Sequence, residues 1–317
     1  MPDTYIPILR NGRNEPQVIR NFDQSSLSGS SPRSLSMTPL IEVTDEDDID
    51  DLGTYRAAGA PVLVELPRYL TQRANRFNDP VSNLIAEHGS VEEFYGNNAD
   101  QINVPVVSGP IEPVDYSVYR PRVERLRDDF DRVAVRLMLL DFNDALTSDQ
   151  RESLESLAKV IGGTDFALFD LVDNGVTDEI EGDLAYLTDL FSEATTGVLN
   201  GFDAYNAHPD NESPRLANEN DAEAFGDFGI NQRFKPDGGG QPEEVQIRHY
   251  HPNNATIQFF AGNDYEEAAD ELTEWDEWDR AHCDGCRRAD RTTSYDTNTW
   301  AQIKLEHYLS SVLRGEI

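Results

Sequence analysis

Short apolar runs alternate with longer amphipathic stretches along most of this chain. The runs at 5–10, 37–43, 61–66, 102–108, 133–140, 165–172, 197–205 and 245–251 have the length and composition of strands. Between them, 15–22, 83–95, 116–130, 148–161 and 183–195 carry apolar residues at helical spacing. Thr147-Ser-Asp-Gln150 offers an N-cap for the 148–161 helix, and Gly162-Gly163 a stop. Strand followed by helix, repeated, predicts a parallel sheet covered by helices. Eight strand-like runs favour a closed (β/α)8, TIM-like barrel over an open doubly wound sheet. The reading is one barrel domain over 1–317, with a C-terminal helical segment at 265–317 packed on it. The Ser-rich stretch 25–36 and the acidic run 45–51 read as exposed loops, and Gly238-Gly-Gly240 as a flexible turn.

Alternation along each strand sets which side chains face the barrel interior. In 61–66, Val62, Val64 and Leu66 form the helix-facing row, so Leu63 and Glu65 point inward, and the same count turns Glu42 inward. In 133–140 the outer row is Val133, Val135, Leu137 and Leu139, which leaves Arg136 inside. Asp170, two residues beyond Leu168, ends the sixth run. Three carboxylates and one guanidinium are therefore expected near the strand C-termini, the face where barrel enzymes carry their active sites. Glu42, Glu65 and Asp170 are candidate ligands for a divalent metal, and Arg136 a candidate clamp for a phosphate or carboxylate. The alternative is an internal ion-pair network, because buried charges are paired. Asp227, in Gly226-Asp-Phe-Gly229, is a second candidate: a catalytic carboxylate on a glycine-flanked loop, or an Asx-type turn.

Charge narrows the partners. Sixty Asp and Glu stand against 26 Lys and Arg, a formal charge of −34, and only three of those bases are lysines. Such a chain repels itself in dilute buffer, whereas at ~1 M salt the Debye length falls to about 3 Å. The composition points to the cytoplasm of an extreme halophile, archaeal in type. It argues against direct electrostatic binding of nucleic acid, which needs clustered bases and loses its counterion-release gain at high salt. The nearest basic cluster, 119–127, runs into Asp128, Asp129 and Asp131 and reads as a solvated face of i,i+4 ion pairs. No run reaches the length of a membrane span, and residues 1–5 show no signal-region pattern.

Two cysteines, in His282-Cys-Asp-Gly-Cys286, are too close to staple distant segments. A structural zinc takes four ligands, and His249, His251, His282 and His307 are the available completions. Without a second C-x-x-C, the favoured reading is two reduced thiols in a tight turn near His282 or His307, with no full zinc shell and hence no metal. No nucleotide-binding glycine motif, Walker lysine or Ser/His/Asp order is present. Trp275 and Trp278, on the acidic run 266–280, read as core packing or a partner-facing ridge.

Four stretches carry a family likeness: Tyr5-Ile-Pro-Ile-Leu-Arg10 with Glu15 and Thr38-Pro-Leu-Ile-Glu42; Phe225-Gly-Asp-Phe-Gly-Ile230; Cys283-Asp-Gly-Cys286; and Trp300 with His307. In this order the chain resembles the phage-type "beta protein" family. Arg10 stands where that family has Lys, Ala301 follows Trp300 in place of Arg, and Tyr308 replaces the second His of a pair. The resemblance implies a β/α-barrel-like fold and a phage-related or antiviral-defence setting, without a catalytic mechanism or cofactor. The functional expectation is binding or sensing of a small anionic ligand or a protein partner at the barrel mouth. Its rivals are a metal-dependent, phosphodiesterase-like hydrolase with Asp227 as base, and a structural partner subunit.

Overall fold

The computed structural model describes residues 2–10, 14–20, 22, 35–57, 61–67, 75–109, 115–139, 146–171, 177–200, 212–229, 245–251 and 256–316. Eight parallel strands close into a barrel: β1 (Thr4–Arg10), β3 (Leu40–Glu42), β4 (Leu63–Glu65), β5 (Val104–Ser108), β6 (Ala134–Met138), β7 (Phe166–Asp170), β8 (Thr195–Leu199) and β9 (Ala224–Asp227). A two-residue β2 (Ser36–Met37) also pairs with β1, and Pro39, which has no N–H to give the ladder, separates it from β3. The barrel closes where β1 meets β9, from Thr4↔Ala224 to Pro7↔Asp227. Gly226 makes that seam possible: a Cβ there would lie 2.2 Å from the Ile6 carbonyl oxygen and 2.6 Å from Leu199.

The seam corrects one sequence expectation. The eighth strand is β9, a short Ala-Phe-Gly-Asp run whose glycine suggests a loop, and not 245–251. That run forms β10 (Val245–His251), which pairs antiparallel with β11 (Thr256–Gly262) in a separate hairpin. A seven-residue alternating run is conspicuous in sequence, whereas a four-residue strand carrying a glycine at a tight closure is not. The 197–205 run ends as β8 at Leu199, and 201–205 lies outside the described residues, as do Gly238–Gly240.

Helices fill the outer layer: α1 (Glu15–Arg20), α2 (Asp47–Ala57), α3 (Asn75–His88), α4 (Val91–Asn97), α5 (Tyr119–Leu126), α6 (Ser148–Ala158), α7 (Asp178–Leu190) and α8 (Ser213–Glu219). Thr147 and Gln150 form the reciprocal capping box at α6. The 83–95 helix is two helices, because Gly89 adopts φ +91 and breaks the run. The acidic run 45–51 is not a loop: it starts α2, where the Asp48 carboxylate accepts from the amides of Thr44 (2.7 Å) and Asp45 (2.9 Å) and the acidic first turn favours the helix N-terminus. The basic stretch after Tyr119 is taken up by ion pairs, Arg120 with Glu124, Arg122 with Glu92 and Arg127 with Asp165.

After β11 come α9 (Tyr265–Thr273), α10 (Asp284–Ala289) and α11 (Thr297–Leu313). Leu305, Tyr308, Leu309 and Val312 of α11 join the core between barrel and helices, while Trp300 and Ile303 pack with Ile247 and Phe260 of the hairpin. The final helix thus belongs both to the barrel wall and to the hairpin module. Among the described residues no helix is long and apolar enough to cross a membrane.

Candidate functional site

Inside the barrel, Ile6, Ile8, Leu63, Val106, Leu168 and their neighbours form a dry core. One layer higher, at the C-terminal ends of the strands, the inward positions turn polar. The layer contains Arg10, Glu42, Glu65, Ser108, Arg136 and Asp170, which close or nearly close their strands. Glu42, Glu65, Asp170 and Arg136 are all fully buried. Arg136 holds the layer together. Its Nε and Nη2 reach Asp170 at 2.7 and 2.6 Å, and its Nη1 donates to Glu42 at 3.1 Å and also to Glu65. Arg10, 22% exposed, donates from Nε to the other oxygen of Glu42 at 3.2 Å. The Phe228 ring, following β9, lies 5.7 Å from the Arg136 guanidinium carbon.

Among the described residues two guanidiniums therefore face three carboxyl groups. Burial pushes the Glu65 carboxyl up and the Glu42 charge adds to this, against the pull of Arg136 and Ser108. With Arg136 spread over all three carboxylates, Glu42, Glu65 and Asp170 are engaged in a mutual network and not presented as an open metal-binding set. Two tyrosines fix the strand ends from outside. Tyr95 accepts from the Leu66 amide and donates to the Val106 carbonyl, and Tyr119 accepts from the Gly109 amide and donates to the Arg136 carbonyl, all at 2.8–3.0 Å. Burial raises both phenols, so they remain hydrogen-bond donors.

Asp227 is elsewhere. It closes β9 on the strand face opposite Ala224, toward the helices, and not on a mouth loop. Fully buried, its carboxylate accepts from Tyr5 Oη and Tyr308 Oη at 2.7 Å each, and from the Gly229 amide at 2.7 Å. The Asx-type turn is present, and the two phenols tie β1 and α11 to the closing strand. The structure does not bring Asp227 into the Arg136 layer. Tyr308, noted in the sequence only as a replaced histidine, is one of its partners.

A second constellation lies in the C-terminal module. Cys283 caps α10, its sulfur accepting from the Cys286 amide at 3.3 Å, and the two Sγ atoms are 3.4 Å apart. His307 of α11 places Nδ1 3.1 Å from Cys286 Sγ and 3.8 Å from Cys283 Sγ. One ligand atom each from His282, Cys283, Cys286 and His307 falls within a mutual distance of 4.8 Å. The thiols lie near the histidines expected from the sequence, but both His282 and His307 approach them, so four donors come together where only two thiols beside one histidine were expected. The hydrogen bond shared by the two sulfurs lowers the Cys283 thiol and raises that of Cys286. His249 stacks on His307 with ring centroids 4.0 Å apart, and burial keeps it neutral. Trp275 and Trp278 are half-buried and pack against His249 at the edge of the hairpin cluster.

These features define a β/α barrel with a buried ionic layer at its catalytic-type end and a Cys/His cluster in an appended module. No family model matches the chain, and no curated protein does. Among solved structures it is similar to two mutants of the tryptophan synthase alpha-subunit from the hyperthermophile Pyrococcus furiosus, each at 13% identity over 71% of this chain and 86% of the other, with TM-scores of 0.43 and 0.45. The tryptophan synthase α2β2 complex of the same organism matches at 10% identity, the same coverages and a TM-score of 0.43. At these values the likeness supports no statement about activity, and the barrel stands on its own strand pairing.

Proposed function

We propose that this is a binding or sensing protein, and that a small anionic ligand is its occupant at the barrel mouth. The observation that carries the reading is the engagement of Glu42, Glu65 and Asp170 by Arg136, together with the partial exposure of Arg10 at the edge of the same layer. The carboxyls of the layer already face Arg136, and an anion that approaches the mouth meets the partly exposed Arg10 guanidinium, suited to a phosphate or carboxylate. The hydrolase reading needs three carboxylates free for a metal, which this network opposes. The phage-related or antiviral setting rests on the order of the four sequence motifs, and the halophile cytoplasm on the charge balance. Plaque counts on a host with and without the gene test the setting.

The ligand is tested by thermal shift at high KCl across phosphate, nucleotides and dicarboxylates. An anion at ~100 times its Kd stabilises by about 2.7 kcal/mol, roughly 4 °C for a chain of this size. The shift is expected to vanish in Arg10→Ala with the barrel's circular dichroism retained. Saturable Mg2+ or Mn2+ binding lost in Glu65→Gln would instead establish the hydrolase.

A further inference from the structure

We propose that His282, Cys283, Cys286 and His307 bind one Zn2+ in a closed, structural Cys2His2 centre that fastens α10 to α11 and the hairpin. This site is separate from the barrel mouth and does not depend on the reading given for it. Three observations carry it.

The first is spacing. Tetrahedral zinc with Zn–S near 2.3 Å and Zn–N near 2.05 Å requires ligand-to-ligand edges of about 3.8 Å between sulfurs and about 3.5 Å between sulfur and nitrogen. The observed Sγ–Nδ1 distances of 3.1 and 3.8 Å bracket the second value, and the Sγ–Sγ distance of 3.4 Å is about 0.4 Å short of the first. Small adjustments of side chains suffice to admit the ion.

The second is the orientation of both imidazoles by their far nitrogens. His307 Nε2 lies 2.7 Å from the Tyr250 carbonyl oxygen, which only accepts, so Nε2 carries the proton and Nδ1 presents its lone pair to the thiols. His282 Nε2 lies 2.7 Å from a Glu316 carboxylate oxygen, and its Nδ1 is buried with no hydrogen-bond partner. Carbonyl and carboxylate partners on the far side are the outer contacts that ligating histidines use.

The third is the local chain design. Gly285 allows the Cys-x-Gly-Cys turn to sit on α11, since a Cβ there would lie 2.9 Å from the Ile303 carbonyl oxygen. Both cysteines are at most 2% exposed. Two thiolates neutralise a divalent ion, so the loaded centre adds no net charge to a buried place. Four protein ligands leave no position for water, which marks the site as structural, and the thiolate–imidazole donor set in tetrahedral array suits zinc over magnesium, calcium or manganese.

The test uses the full chain, expressed in zinc-supplied medium and purified in molar KCl without chelator. Elemental analysis is expected to find one zinc per chain. Cys286→Ser and His307→Ala should each lower that to about a tenth or less under the same chelator challenge. Because these variants can fail to fold, the wild-type protein is also reconstituted with Co2+. Intense visible ligand-field absorption with a thiolate-to-cobalt charge-transfer band is expected, and titration with an organomercurial should release one zinc as two thiols react. Folded, reduced protein that retains no zinc after reconstitution overturns the proposal. So does zinc held undiminished by Cys283→Ser/Cys286→Ser, or a weak, octahedral-type cobalt spectrum.

Discussion

Replacing Arg136 by Met keeps much of the side-chain volume and removes the charge at the centre of the barrel layer. Asp170 then loses contacts at 2.7 and 2.6 Å, Glu65 its bond to Nη1, and Glu42 a contact at 3.1 Å, while Glu42 keeps Arg10 at 3.2 Å. Stranding a buried charge by deleting its partner costs about 3–5 kcal/mol. Total stabilities of roughly 5–15 kcal/mol make that a large share. At roughly 1.5 °C per kcal/mol for a chain of 317 residues, the midpoint should fall by about 4–8 °C. The sign of the pH dependence follows from the same physics. A carboxylate left without its cation has a folded pKa above the unfolded value, so the destabilisation is full above the folded pKa and shrinks as pH falls toward the unfolded value. Thermal melts followed by circular dichroism in ~2 M KCl, compared between about pH 8 and pH 5, measure both effects. Arg136→Met combined with Glu65→Gln and Asp170→Asn should recover most of the loss. A deficit under about 1 kcal/mol at the higher pH, or one unchanged at the lower, would refute the view that this guanidinium neutralises the layer.

Other outcomes follow from single features. Tyr308→Phe removes a donor to the buried Asp227 carboxylate and should cost about 1.5–3 kcal/mol in chemical denaturation while the barrel spectrum is kept. Gly226→Ala drives a methyl into the Ile6 carbonyl at the closing seam and should destabilise by at least 1–3 kcal/mol, or abolish soluble expression. Burial raises the Glu65 pKa, so its proton-linked stability is full below the unfolded value near ~4.3 and declines as pH rises through the folded pKa; Glu65→Gln should flatten that part of the stability profile. The −34 charge should make the folded fraction rise with KCl, and cooperative folding in ~10 mM salt, where the Debye length is about 30 Å, would defeat the halophile reading.

Sequence by itself determined the barrel class and the inward phase of Glu42, Glu65 and Arg136. Both follow from local rules: the alternation of helix and strand periods, and the two-residue repeat that turns alternate side chains to opposite faces. It also determined the charge balance, a sum over residues wherever they lie. Tertiary structure alone decided which strand closes the barrel, because Gly226 is informative only against Ile6 and Leu199. It decided that Asp227 faces Tyr5 and Tyr308 and not the mouth. It also decided that His307 arrives beside two cysteines 21 and 24 residues earlier. Those three outcomes depend on contacts between distant segments, which no local pattern encodes, since the packing of helix on sheet sets them only when the whole core is assembled.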